Sequence, residues 1–205
     1  MNYDTLASDE SVAKTIAALK EKNIEAMVVR TKDEALEAAK ALIPEGATVM
    51  NGASVTLEQI GFVEYLKAGK HGWNNLHDAI VKETDKAVQS QLRRQALLSE
   101  YYLGSVHALA ETGQFIVASN TGSQLSHIVF SSKNLIFVVS TKKIVPGVTD
   151  MYERLEKHVI PLEEVHMQQK YGASTYPSKV VLVNRENPNM GRKVHMILVK
   201  EDLGF

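Results

Sequence analysis

The sequence predicts an α/β fold, an open and mostly parallel sheet with helices on both faces and an N-terminal helical portion. Two observations predict it. Apolar residues recur at helical spacing in segments that alternate with apolar runs of strand length, and glycine, proline, asparagine and serine punctuate the joins. With 205 residues and 44% hydrophobic content, the chain can bury a full core, so 1–205 is read as a single domain, with 1–22 as a helical extension in the alternative.

The elements follow in order. Ser8 and Asp9 are placed to cap a helix over 11–22, where Val12, Ile16 and Leu19 share a face, and Ala26 to Val29 form the apolar centre of a strand over 25–30. A second helix runs from 31 to 43 on Ala35, Leu36, Ala39 and Leu42, ends at Pro44-Glu45-Gly46, and leads into a strand at 48–50. The turn Asn51-Gly52-Ala53-Ser54 precedes a helix over 56–66, striped by Leu57, Ile60, Val63 and Leu66. Residues 67–75 are irregular, with Gly69, Gly72 and the single Trp73, and a charged helix is placed at 85–99. Strands are expected to begin at Glu100 and to cover 114–118 and 135–140, with a helix at 149–157. A closing pair at 180–184 and 194–199 reads as antiparallel, joined by the turn-rich stretch from Arg185 to Arg192. No internal repeat is evident.

Composition excludes several classes of function. The 23 basic and 24 acidic residues leave a formal charge of -1, which offers no net attraction for nucleic acid or an anionic membrane. The absence of cysteine rules out disulfides, a thiolate nucleophile and a cysteine-held iron–sulfur cluster or zinc site. No stretch approaches the roughly 20 apolar residues of a membrane span and no leader pattern opens the chain, so the expected address is cytoplasmic.

The most informative stretch lies between Ala108 and Gly147. Ala110-Glu111-Thr112-Gly113 precedes one strand and Ser119-Asn120-Thr121-Gly122-Ser123 follows it, so both strand ends carry turns crowded with backbone donors and hydroxyls. Lys142-Lys143-Ile144-Val145-Pro146 follows the next strand. Ligands of open α/β sheets bind beyond the carboxyl ends of strands, near a change of strand order, where all these segments and Asn51 to Ser54 are eligible to meet.

These pieces carry a family resemblance. Residues 103–147, with the Glu111, Thr121 and Lys143 segments, resemble the LUD-domain family of lactate-utilisation proteins. Asn51-Gly52-Ala53-Ser54-Val55-Thr56-Leu57 resembles that family's N-terminal glycine-serine turn, and Glu201-Asp202-Leu203-Gly204-Phe205 its C-terminal signature. The resemblance implies a Rossmann-like three-layer open sheet of the type shared by sugar-phosphate isomerases and coenzyme A transferases, and a link to lactate or related organic acids. It also implies separate iron–sulfur proteins as partners, because this chain has no cysteine at the positions where some members carry them.

The site candidates rest on chemistry and on that resemblance together. Glu111 is the acid-base candidate, with a turn-fixing role equally open. Asn51, Gly52 and Ser54 suit one wall of an anion site, yet Ser54 is equally placed to cap the helix behind it. Thr112, Gly113, Thr121, Gly122 and Ser123 read either as ligand-binding or as ordinary turn residues. Lys143, favoured over Lys142, is the anion holder; a Schiff base there requires a desolvated amine. The seven histidines show no metal-site spacing, although His107 and His127 flank the central turns. No Gly-x-Gly-x-x-Gly turn or basic-aromatic groove is present, so no cofactor and no nucleic acid are expected. The resulting expectation is an accessory or ligand-binding component for a small organic acid or phosphorylated metabolite. The alternative is an enzyme acting on a phosphorylated sugar or acyl substrate through Glu111. A homo-oligomer is expected on general grounds.

Overall fold

The computed structural model describes residues 2–205. Its first half runs α1 (Asp9–Glu21), β1 (Glu25–Val29), α2 (Lys32–Ala41), β2 (Thr48–Asn51), α3 (Val55–Gln59), α4 (Phe62–Lys67), β3 (Asn74–Asn75), α5 (Leu76–Lys82) and α6 (Lys86–Gln95). Its second half runs β4 (Tyr101–Gly104), β5 (Ala108–Ala110), β6 (Phe115–Ser119), α7 (Ser123–Ser126), β7 (Asn134–Ser140), β8 (Ile144–Val145), α8 (Val148–Arg154), α9 (Ile160–Tyr171), β9 (Lys179–Val183) and β10 (Lys193–Val199). Local chemistry sets the helix starts. Ser8 Oγ accepts from the Ser11 N–H at 3.2 Å, as its capping role predicts, and Thr31, at the opening of the second helix, caps it by accepting from the Glu34 N–H at 3.2 Å.

Six strands form a parallel sheet in the order β1-β10-β7-β4-β2-β3. From β2 the chain winds one way to β3 and the other way through β4, β7 and β10, so the winding reverses between β2 and β4. Period-two alternation assigns the two faces. Ile136, Val138, Ile197 and Val199 pack with Ala35 and Ala39 of α2 and with Leu57, Phe62 and Leu66 of α3 and α4. Leu135, Phe137, Val139, Met196 and Leu198 point the other way, where they meet Val12 and Leu19 of α1. Each fully buried side chain of this kind contributes about 1.5–3 kcal/mol from burial, which is why α1 packs into the core.

A four-stranded sheet, ordered β8-β5-β6-β9, is the feature absent from the sequence reading. Phe115 and Val117 of β6 pack against the main sheet, the Phe115 ring centroid 5.3 Å from that of Phe137, while Ala108, Ala110 and Ile116 face Met151 and Leu155 on the opposite side. The sheet is hard to read locally because its members are two to five residues long and two of its pairings join distant segments.

The structure corrects three expectations. The segments at 180–184 and 194–199 do not pair: β9 runs antiparallel to β6 in the small sheet, while β10 lies parallel between β1 and β7 in the large one. The helix expected over 56–66 breaks at Gly61, whose φ of 80° is left-handed, into α3 and α4. The helix at 149–157 does not stop, because a π-helical turn at Leu155–Val159 carries α8 into α9.

Candidate functional site

A cavity of about 250 Å³ opens beyond the carboxyl ends of β2, β4 and β7, beside the reversal in winding. Ser54 and Thr56 follow β2, Ser105 and His107 follow β4, and Lys143 follows β7. Leu155, Val159, Glu163 and Met167, spaced four apart along the π-helical turn and α9, make an apolar wall interrupted by one carboxylate. That carboxylate, Glu163, is paired with His166 Nδ1 at 3.2 Å.

Lys143 dominates the chemistry. Its residue is 4% exposed, and its Nζ donates to Thr56 Oγ1 at 3.1 Å, Ser105 Oγ at 3.1 Å and the Val106 carbonyl at 3.2 Å. All three acceptors are neutral. Burial, and then the neighbouring Arg154 and Lys142 cations, hold its amine well below the ordinary lysine range. Lys142 is the informative contrast: it is equally buried yet ion-paired with Asp202 and, at 3.7 Å, with Asp4. Adjacent lysines therefore point to opposite environments, one compensated by carboxylates and one, among the described residues, not.

His107 lines the cavity and Arg154 packs behind it on the His107 carbonyl, although sequence reasoning assigned neither to the site. His107 accepts the Ala118 N–H on Nδ1 at 3.1 Å, which leaves the proton of the neutral ring on Nε2. Burial, Lys143 and Arg154 push its pKa down to about 3, so it is neutral throughout the physiological range. Arg154 is 0% exposed and donates from Nη1 to the His107 carbonyl, while its Nε and Nη2 have no partner among the described residues. Burial lowers its pKa to about 10, so it keeps its charge near neutrality. The position after β4 was a legible strand end for His107, but nothing in Tyr152-Glu153-Arg154-Leu155 marks Arg154 as an interior cation.

A family model for the LUD domain matches residues 12–199. The chain belongs to the LUD-domain family. It is similar to the crystal structure of a DUF162 family protein from Deinococcus radiodurans, with a TM-score of 0.57 at 14% identity over 95% of this chain and 99% of that one. At that identity the likeness bears on the fold alone. No curated protein matches.

Within this LUD domain, the residues singled out from the sequence divide into three groups. Ser54, Thr121 and Lys143 line the cavity. Ser54 Oγ also accepts from the Leu57 N–H at 3.3 Å, so it caps the five-residue α3 as well. Asn51, Gly52, Gly122 and Ser123 lie behind or beside the wall. Asn51 Nδ2 donates to the Gly52 carbonyl at 3.2 Å, and a Cβ on Gly52 would stand 2.3 Å from the Tyr102 hydroxyl, so glycine here admits a packed tyrosine. Gly122 N–H donates to Ser119 Oγ at 3.0 Å, and Ser123 Oγ lies 3.0 Å from Thr121 Oγ1.

Glu111, Thr112 and Gly113 form the third group, in the turn at the far end of the β5–β6 hairpin from the cavity. Glu111 pairs with Lys14 of α1 at 2.7 Å, and the Lys14 ammonium, followed by a Ser11 hydrogen bond, holds its carboxyl below the usual range. Thr112 Oγ1 bonds to Gln114 Oε1 at 2.6 Å, and Gly113, at φ 87°, rests on the backbone of Ala18. This turn fastens α1 to the small sheet. Glu111→Gln should therefore leave ligand affinity within twofold of the parent and cost less than about 1 kcal/mol, since Lys14 is well exposed. Calorimetric titration and urea unfolding read the two quantities, and a large loss of affinity would return Glu111 to the site.

His127 takes no part in the cavity. It stacks on Tyr102 with ring centroids 4.7 Å apart, and Nδ1 meets Ser132 Oγ at 2.9 Å. No group of three or more His, Asp or Glu side chains that could hold a metal occurs among the described residues, and no helix there is long and apolar enough to cross a membrane.

Proposed function

We propose that this LUD domain is a ligand-binding, accessory component of organic-acid metabolism, and that its cavity holds a small organic acid or phosphorylated metabolite. One observation carries the reading. The Lys143 amine is buried among neutral acceptors with no carboxylate partner among the described residues, and the neighbouring Arg154 is also inside. Burial without a counter-charge disfavours the ammonium, and an anionic ligand entering the cavity supplies the charge that stabilises its protonated form. The cavity volume of about 250 Å³ lies below the range of roughly 300–1,000 Å³ usual for drug-sized ligands, which favours a small metabolite over a dinucleotide.

The sugar-phosphate-isomerase and coenzyme A-transferase type of sheet fits this reading, because the cavity lies where such sheets hold their substrates. With no cysteine in the chain, a role in lactate oxidation places any iron–sulfur cluster on separate partner proteins, in the cytoplasm, with this chain acting as a single domain or a homo-oligomer. Calorimetric titration with lactate, other short hydroxy acids, inorganic phosphate and a sugar phosphate tests the proposal. At least one of these anions should bind one per chain and, at 100-fold excess over Kd, stabilise the fold by about 2.7 kcal/mol. Absence of binding across the panel would sink it.

A further inference from the structure

Lys143 is placed for more than holding charge. Its Nζ is bracketed by two hydroxyls, Thr56 Oγ1 and Ser105 Oγ, each at 3.1 Å, and by the Val106 carbonyl at 3.2 Å. A carbonyl only accepts, but each hydroxyl accepts or donates by rotating. The same three neighbours therefore satisfy an ammonium that donates three bonds and a neutral amine that donates two and accepts one. Burial decides between them, and it disfavours the charged form. The second cation, Arg154, acts in the same direction, and a desolvated lysine beside another positive group is the arrangement that leaves an amine nucleophilic near neutral pH.

We infer that Lys143 captures a 2-oxo acid in this cavity as an imine, a proposal that rests on the organic-acid reading above and names the class of acid. The amine supplies the demand for a carbonyl. The demand for an acid comes from the organic-acid reading, and the Ser54 and Thr121 hydroxyls that line the same cavity are the donors available to its carboxylate.

The step balances without a further reactant. The Nζ lone pair attacks the 2-oxo carbon, the C=O π pair moves onto oxygen, and one amine proton passes to that oxygen, giving a carbinolamine. The nitrogen pair then forms C=N, the C–O bond breaks, and the oxygen leaves as water with the second amine proton. Thr56 Oγ1 and Ser105 Oγ, within hydrogen-bond distance of Nζ, are placed to relay these protons. His107, on the same cavity wall, is neutral and serves as an uncharged neighbour.

Trapping tests the inference directly. The full chain is incubated near pH 7 with pyruvate, or with lactate as the carbonyl-free control, in the presence of cyanoborohydride, then digested and mapped by tandem mass spectrometry. The expected result is one 1-carboxyethyl group on Lys143, at least tenfold above any exposed lysine, and none with lactate. Lys143→Arg keeps a long nitrogen-bearing side chain without a primary amine and should abolish the adduct; should that variant misfold, the site map of the parent protein still decides. Calorimetry on the same samples separates the two claims. Binding of pyruvate or lactate with no adduct on Lys143 overturns the imine and leaves the ligand-binding proposal standing, whereas neither binding nor adduct overturns both. Labelling spread evenly over surface lysines also overturns the imine.

Discussion

Lys143→Met is expected to weaken organic-anion binding by about 100-fold or more, from a loss of ~3 kcal/mol, because the substitution removes the buried partner of the ligand's charge. It should also erase a pH dependence of stability. The folded lysine has its pKa depressed well below 10.5, while the unfolded lysine keeps its ordinary value, so between the two the unfolded chain binds more protons. The parent protein therefore gains stability as pH rises through that window, with a slope of up to about 1.4 kcal/mol per pH unit, and loses it as pH falls. Urea unfolding between about pH 7 and 9 isolates this effect, because the buried Tyr102 and Arg154 titrate above that interval. Lys142 offers the matched control. It is just as buried but paired with Asp202 and Asp4, so Lys142→Met should leave the slope in place while destabilising the fold by stranding the Asp202 contact. If Lys143→Met binds the anion as tightly as the parent and retains the slope, the assignment of the site fails.

Gly204→Ala should be nearly as damaging to binding and more damaging to the fold. Gly204 has φ 68°, in the left-handed region, and a Cβ there would stand 2.3 Å from Thr56 Oγ1 and 2.8 Å from Lys143 Nζ. Its N–H donates to Gln59 Oε1 at 2.6 Å, which ties the tail to α3 and limits its retreat. Overpacking and backbone strain together predict a loss of about 1–3 kcal/mol, and displacement of Thr56 and Lys143 predicts at least tenfold weaker binding. Gly46 separates the two causes. Its φ is 79° but nothing lies within 4 Å of the added Cβ, so Gly46→Ala carries only the backbone cost, about 1–2 kcal/mol, with unchanged affinity. Equal affinity in Gly204→Ala and Gly46→Ala would show that the tail does not support the Lys143 pocket.

Much of the fold was legible because it is written in local periodicity. The stripe Val12, Ile16 and Leu19, the alternation in Leu135 to Val139, and the capping residue Ser8 each determine an element without help from distant residues. The rule that parallel strands open a crevice at their carboxyl ends likewise placed Ser54 and Lys143 at the sheet end where the cavity lies, while Thr121 reaches it from the antiparallel small sheet. Composition also settled that no cluster or disulfide is held by cysteine here.

Tertiary structure alone decided the rest, and the reason is sequence separation. The four-stranded sheet joins β6 to β9 and β5 to β8, pairings that short apolar runs do not specify. It also sends Glu111 to the end of the hairpin remote from the cavity, where a lysine of α1 occupies it. Lys142 and Lys143 are indistinguishable by type and neighbourhood along the chain. Only the fold brings two aspartates to one and two hydroxyls with a carbonyl to the other, because burial and counter-charge are properties of the space around a side chain and not of its place in the sequence.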